Sequence, residues 1–137
     1  MQIARTWRQQ ASNLRLSGTQ CASCHAHFFP GRIRCPHCAS TDMQPHAFSG
    51  QGEVLVTTVV HEAPRNFEEQ VPYLAGLVRL AEGPVIAALL TDVDPKDVAP
   101  GMPVEMVTRR IKSDGTSGPI VYAYKFAPLI SEPQDTP

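Results

Sequence analysis

Cys21-Ala-Ser-Cys24-His-Ala-His-Phe-Phe-Pro-Gly-Arg-Ile-Arg-Cys35-Pro-His-Cys38 holds all four cysteines of the 137-residue chain. They stand as two C-x-x-C pairs with ten residues between them, and each pair can place two sulfurs on one ion through a tight turn. Two such knuckles complete a tetrahedron, so the stretch predicts a zinc ribbon with Cys21, Cys24, Cys35 and Cys38 as ligands. Zinc is preferred to iron because a small lobe needs a staple that supplies folding energy without redox chemistry, although four thiolates also accept iron. A closed shell leaves no position for water or substrate, so the metal is expected to be structural. His25 and Ala39 follow the second cysteine of each knuckle, where the turn favours glycine for its positive φ. His25, His27 and His37 read as loop histidines rather than as substitute ligands.

On the N-terminal side, Gln2 to Gln10 contains helix formers and no Gly or Pro, with Ile3 and Trp7 one turn apart. A short helix is expected there, its apolar stripe too narrow to stand without a surface beneath it. Asn13 to Thr19 reads as a short strand or turn leading into the metal site. On the C-terminal side, Thr41 to Ser49 shows no periodicity and reads as a polar connection. Gly52 to His61 is dense in β-branched residues, and Tyr73–Leu80 and Pro84–Val93 are two apolar runs joined by the hairpin turn Ala81-Glu82-Gly83. Asp94 before Pro95 suits the cap of a very short helix. Val104–Ile111 and Ile120–Phe126 complete five strands, the pattern of a Greek-key OB-type barrel. The chain therefore divides into an N-terminal helix and lead-in strand (1–18), a ribbon (19–47), a barrel (48–129) and a loose tail (130–137).

Twelve basic and thirteen acidic side chains nearly cancel, which gives no general attraction to polyanions. The distribution is uneven: Arg5, Arg8, Arg15, Arg32 and Arg34 precede the first carboxylate, Asp42. No apolar run reaches the roughly 18–20 residues a membrane span needs. Cysteines gathered in two close pairs suit a reducing compartment, and a soluble cytoplasmic protein without a membrane partner is expected.

The residues Trp7-Arg8, Leu14-Arg15-Leu16-x-Gly18-x-x-Cys21-x-x-Cys24, Phe28-Phe29-Pro30-x-Arg32 and Cys35-Pro36-x-Cys38 together resemble the DUF35 family. The later stretches Gly50-x-Gly52-x-Val54, Thr58-Val59-Val60-His61, Leu77-Val78-x-Leu80-x-x-Gly83 and Tyr124-Lys125-Phe126 agree, so the likeness runs from about Trp7 to Phe126. Gly31, where a second proline is common, departs from the pattern, as do His25 and Ala39. The resemblance implies a rubredoxin-like ribbon followed by an OB-fold. It also implies a non-catalytic accessory subunit bound to a thiolase-type enzyme, or to another acyl-CoA enzyme such as a hydratase or aldolase, helping to form or cover the coenzyme A channel.

Beside that implication stand the residues themselves. The cysteines are committed to metal, and no nucleophile elbow, phosphate loop or dinucleotide fingerprint occurs, so no activity is expected of the chain alone. His61, at a strand end with no evident nucleophile or second carboxylate, reads as structural or merely exposed rather than as a general base. Trp7, Phe28, Phe29, Arg32 and Arg34 are the candidates for meeting a partner or the phosphates of coenzyme A, because two adjacent phenylalanines are too much for a short loop to bury. The competing reading packs one ring on the barrel. Tyr122, Tyr124 and Phe126 share a strand face and read as barrel core, while Arg109, Arg110 and Lys112 read as charge protecting a strand edge. A ribbon beside an OB barrel also suits single-stranded nucleic-acid binding, but the strand Gly52–His61 carries no Lys or Arg and the barrel segment is acidic.

Overall fold

Nothing between Ile3 and Arg15 interrupts a helix, and α1 spans all of Ile3–Arg15 rather than ending near Gln10. Asn13, Leu14 and Arg15 thus continue the helix instead of starting a strand. In this computed structural model, which describes residues 3–130, the helix stops where Leu16 takes a φ of 45° and drops fully buried into the core. Met1, Gln2 and tail residues 131–137 lie outside the described residues. No residue of α1 is itself buried. Its stripe of Ile3, Thr6, Trp7, Gln10 and Leu14 faces Pro119–Tyr122 across a groove of about 280 Å³, and Arg5, Arg8 and Arg15 fall on the opposite side by the helical period.

The ribbon is a three-stranded sheet of β1 (Ser17–Cys21), β2 (His27–Phe28) and β3 (Met43–Ala47), with β1 in the centre. The polar connection expected over Thr41–Ser49 is therefore largely a strand, paired with β1 from Ser17↔Ala47 to Cys21↔Met43. Pro45 is admitted because β3 is an edge strand. Gly18 sits where the lobes meet. A Cβ there would collide with the Phe28 carbonyl and come within 2.6 Å of the Phe48 ring.

The remaining strands are β4 (Gln51–Val60), β5 (Tyr73–Leu80), β6 (Val85–Leu90), β7 (Pro103–Ser113) and β8 (Ile120–Pro128), closed in the order β4-β5-β6-β8-β7. The one parallel contact, β6 with β8 at Leu90↔Phe126, and the crossover through the one-turn 3-10 helix Pro95–Asp97 give the OB topology read from the sequence. Asp94 caps that turn, its carboxylate accepting from the Lys96 N–H. An irregularity between Val54 and Val56 lets β4 bend to serve both β5 and β7. Val54, Leu74, Val78, Leu80, Ile86, Leu90, Val104 and Phe126 fill the barrel, and Leu16 and Phe48 extend the same core towards the ribbon.

β7 leaves β4 after Glu105 but continues beside β8 to Ser113. Its free edge carries Arg109, Arg110 and Lys112, and two of its carbonyls are capped: Thr108 by the Arg109 guanidinium at 3.0 Å and Ile111 by the Gln70 amide. The basic group is a guarded edge, as its sequence suggested.

Candidate metal centre and partner surface

Each knuckle is built by the same hydrogen bonds. His25 N–H donates to the Cys21 carbonyl at 2.9 Å and Ala39 N–H to that of Cys35 at 3.0 Å, while Cys21 and Cys35 each donate back at 2.9 Å, to Ala26 and Ser40. The left-handed positions this requires fall on His25 (φ 60°) and Ala39 (φ 59°), the two sites where glycine is missing. The four Sγ atoms lie within 4.8 Å of one another, with Cys21–Cys38 and Cys24–Cys35 both at 3.5 Å. A tetrahedron of thiolates about 2.3 Å from zinc has edges of about 3.8 Å, so the donor set fits that ion. Cys21 and Cys35 are buried, and Cys24 and Cys38 face outward.

Backbone N–H groups aim at the sulfurs, from Ser23 and Cys24 to Cys21, Ala26 to Cys24, His37 and Cys38 to Cys35, and Ser40 to Cys38. Chiefly through the Cys24 N–H, the Cys21 thiol is brought down to about 6. Cys24 also gains an N–H, from Ala26, but the neighbouring Cys35 thiol and burial outweigh it and push Cys24 up to about 12. Without a cation, one thiolate therefore raises its neighbours, and a divalent ion removes that conflict by holding all four ionised.

The other sequence-derived candidates are spread over the surface. Trp7 is 71% exposed on α1. Phe28 is half-buried with its ring edge-on to His37 at 5.5 Å. Phe29 is also half-buried, packing at 6.1 Å on Phe48 and 6.0 Å on Tyr124, so this ring links the two lobes. Arg32 and Arg34 are exposed; Thr19 Oγ1 holds the Arg32 backbone N–H at 3.0 Å, and Arg34 Nε donates to the Ala39 carbonyl at 3.0 Å. Between them Ile33 stands 92% exposed, a residue the sequence reading passed over because one apolar side chain in an aperiodic loop carries no signal. His61 is exposed just beyond β4. Along β8 the aromatic stripe is graded: Phe126 is fully buried, Tyr124 half-buried and Tyr122 51% exposed.

Among the described residues no helix is long and apolar enough to cross a membrane. Residues 8–44 match the family described as ChsH2, rubredoxin-like zinc ribbon domain, and residues 46–109 match ChsH2, C-terminal OB-fold domain. A DUF35 domain-containing scaffold protein of Pyrococcus furiosus is 45% identical over 130 residues, covering 95% of both chains. One of the same description from Methanocaldococcus jannaschii is 42% identical, covering 93% of this chain and 91% of the relative. A solved chain described as Ltp2-ChsH2(DUF35) aldolase superposes with a TM-score of 0.68 at 29% identity, over 92% of this chain and 91% of that one. Sequence, ribbon and barrel agree over nearly the whole chain: it belongs to the DUF35 family of zinc-ribbon and OB-fold proteins.

Proposed function

We propose that this chain is a non-catalytic, zinc-binding accessory subunit of an acyl-CoA enzyme complex, with a thiolase-type enzyme as the partner that performs the chemistry. The observation that carries the reading is the match along nearly the whole chain to a solved DUF35 chain described with an aldolase, together with relatives described as scaffold proteins. The four cysteines would hold the metal, which supplies rigidity and no reaction step. Four unpaired cysteines gathered at one site support a reducing, cytoplasmic setting for the complex. Trp7, Phe28 and the exposed part of Phe29 would supply aromatic contacts to the partner, and Arg32 and Arg34 would face its carboxylates or the phosphates of coenzyme A near a shared channel.

Coexpression with a thiolase-type enzyme from the same genome tests the reading. The two chains should elute together and turn over acyl-CoA, while the isolated zinc-loaded chain should show neither thiolysis nor hydrolysis. Turnover by the pure chain would sink it. If Arg32 meets a phosphate of coenzyme A, Arg32→Ala should raise the KM of the complex for acyl-CoA more than it weakens assembly, and added salt should do the same. His61→Ala should leave turnover of the complex intact.

A further inference from the structure

Two side-chain atoms among the described residues are buried without a hydrogen-bond partner, His46 Nε2 and Glu82 Oε2. They come from opposite lobes. His46 lies on β3 of the ribbon, its ring edge-on to His27 at 4.5 Å and to Phe48 at 4.9 Å. Glu82 lies in the β5–β6 turn of the barrel, and its Oε1 accepts the Ser49 N–H at 2.7 Å just where the chain passes from one lobe to the other. One orphan atom is an acceptor, and the other is a ring nitrogen able to carry a hydrogen. Left alone, either would cost roughly tenfold in the folded-to-unfolded ratio.

The surroundings support a mutual solution. Burial pushes the Glu82 carboxyl up, but the N–H groups of Ser49 and of Glu82 itself, the Ser49 hydroxyl and the charge at His46 together hold it below the ordinary carboxylate range. The other titratable group against His46 is His27 from β2, and β1 places Gly18 across from it. The three do not gather as a metal-ligand cluster: among the described residues that arrangement occurs only at the four cysteines.

We infer that His46 and Glu82 form a clasp across the seam between ribbon and barrel, the imidazole Nε2–H and the carboxylate Oε2 bridged by one shared water, and that this pair fixes the angle at which the ribbon sits. Both are positioning residues. Because the surface candidates lie partly on the ribbon and partly on α1, the angle decides which of them can meet one partner surface together.

The test uses the zinc-loaded full chain labelled with nitrogen-15. Long-range proton–nitrogen spectra of His46 should show a protonated Nε2 whose hydrogen exchanges slowly with water, and Glu82→Ala should bring that exchange to the rate of an open imidazole. Residual dipolar couplings of ribbon and barrel amides should fit one alignment tensor in the parent chain and two in Glu82→Ala. In unfolding, His46→Phe and Glu82→Gln should each lower the folded-to-unfolded ratio about tenfold, and the double variant should lose less than the product of the two. An unprotonated Nε2 in the parent chain, a single tensor in Glu82→Ala, or multiplicative losses would each overturn the clasp. The parent-chain spectrum decides the matter even if a variant fails to fold.

Discussion

The ribbon and the barrel solve the problem of holding a small chain together by different means. The barrel closes its sheet and buries a continuous set of apolar side chains, with Phe126, Val78, Leu80, Val54 and Val104 at 0–1% exposure. The ribbon has two of its four cysteines as its buried centre and relies on knuckle hydrogen bonds and metal. Their charges differ too. Three barrel cations are paired, Arg79 with Glu53 at 3.0 Å, Lys96 with Asp94 at 3.2 Å and Arg109 with Asp92 at 2.7 Å, whereas Arg32 and Arg34 of the ribbon, like Arg5, Arg8 and Arg15 of α1, form no ion pair among the described residues. A lobe stabilised by metal needs little of its surface for self-cohesion, which leaves those side chains available to something else.

Metal removal should separate the two lobes most sharply. Structural zinc is worth about 10–16 kcal/mol to peptides of this kind, so a strong chelator, or Cys21→Ser, should unfold the ribbon while β4–β8 amides keep their protection from hydrogen exchange. Simultaneous loss of both would show that the lobes fold as one unit. The reverse experiment is Phe126→Ala, which should cost about 3–5 kcal/mol in denaturant unfolding. Phe29 and Trp7 sharpen the contrast between cohesion and recognition. Phe29→Ala should lower the stability of the free chain by about 1–3 kcal/mol because the ring packs on Phe48 and Tyr124. Trp7→Ala should change free-chain stability by less than about 0.5 kcal/mol yet weaken partner association by about 2 kcal/mol, read by calorimetric titration.

The smallest effect concerns the paired barrel charges. A hydrogen bond from Arg109 holds the Asp92 carboxyl below its ordinary value. A depressed folded-state value means that the contribution is present above the unfolded carboxylate range and disappears as pH falls through the folded one. With both side chains 44–50% exposed, it should be no more than about 1 kcal/mol. Asp92→Asn should therefore lower the unfolding temperature slightly at pH 7 and not at pH 2, and 1 M salt should shrink the difference.

The four-cysteine cluster, the five barrel strands, the Asp94 cap and the two left-handed knuckle positions were legible because each depends on residues close together in sequence. β3 was not, since Met43–Ala47 has no strand pattern and contains Pro45; it is a strand only because β1 lies beside it. The helix ran past Asn13 because that residue alone does not stop a helix, and the break came from burying Leu16. Phe29 and the His46–Glu82 seam were hidden for a related reason. Their partners lie across the lobe boundary, and no local periodicity encodes how two lobes meet.

The knuckle backbone offers a way to tune the metal without touching its ligands. His25 and Ala39 hold a conformation that costs a residue with a side chain roughly 1 kcal/mol relative to glycine. Glycine at one position and then at both would give a graded series in which the coordination sphere stays constant while the free energy of closing the loops falls. Titrating such a series with cobalt, whose colour reports tetrahedral thiolate, would measure how much of the affinity for metal resides in the backbone rather than in the sulfur atoms.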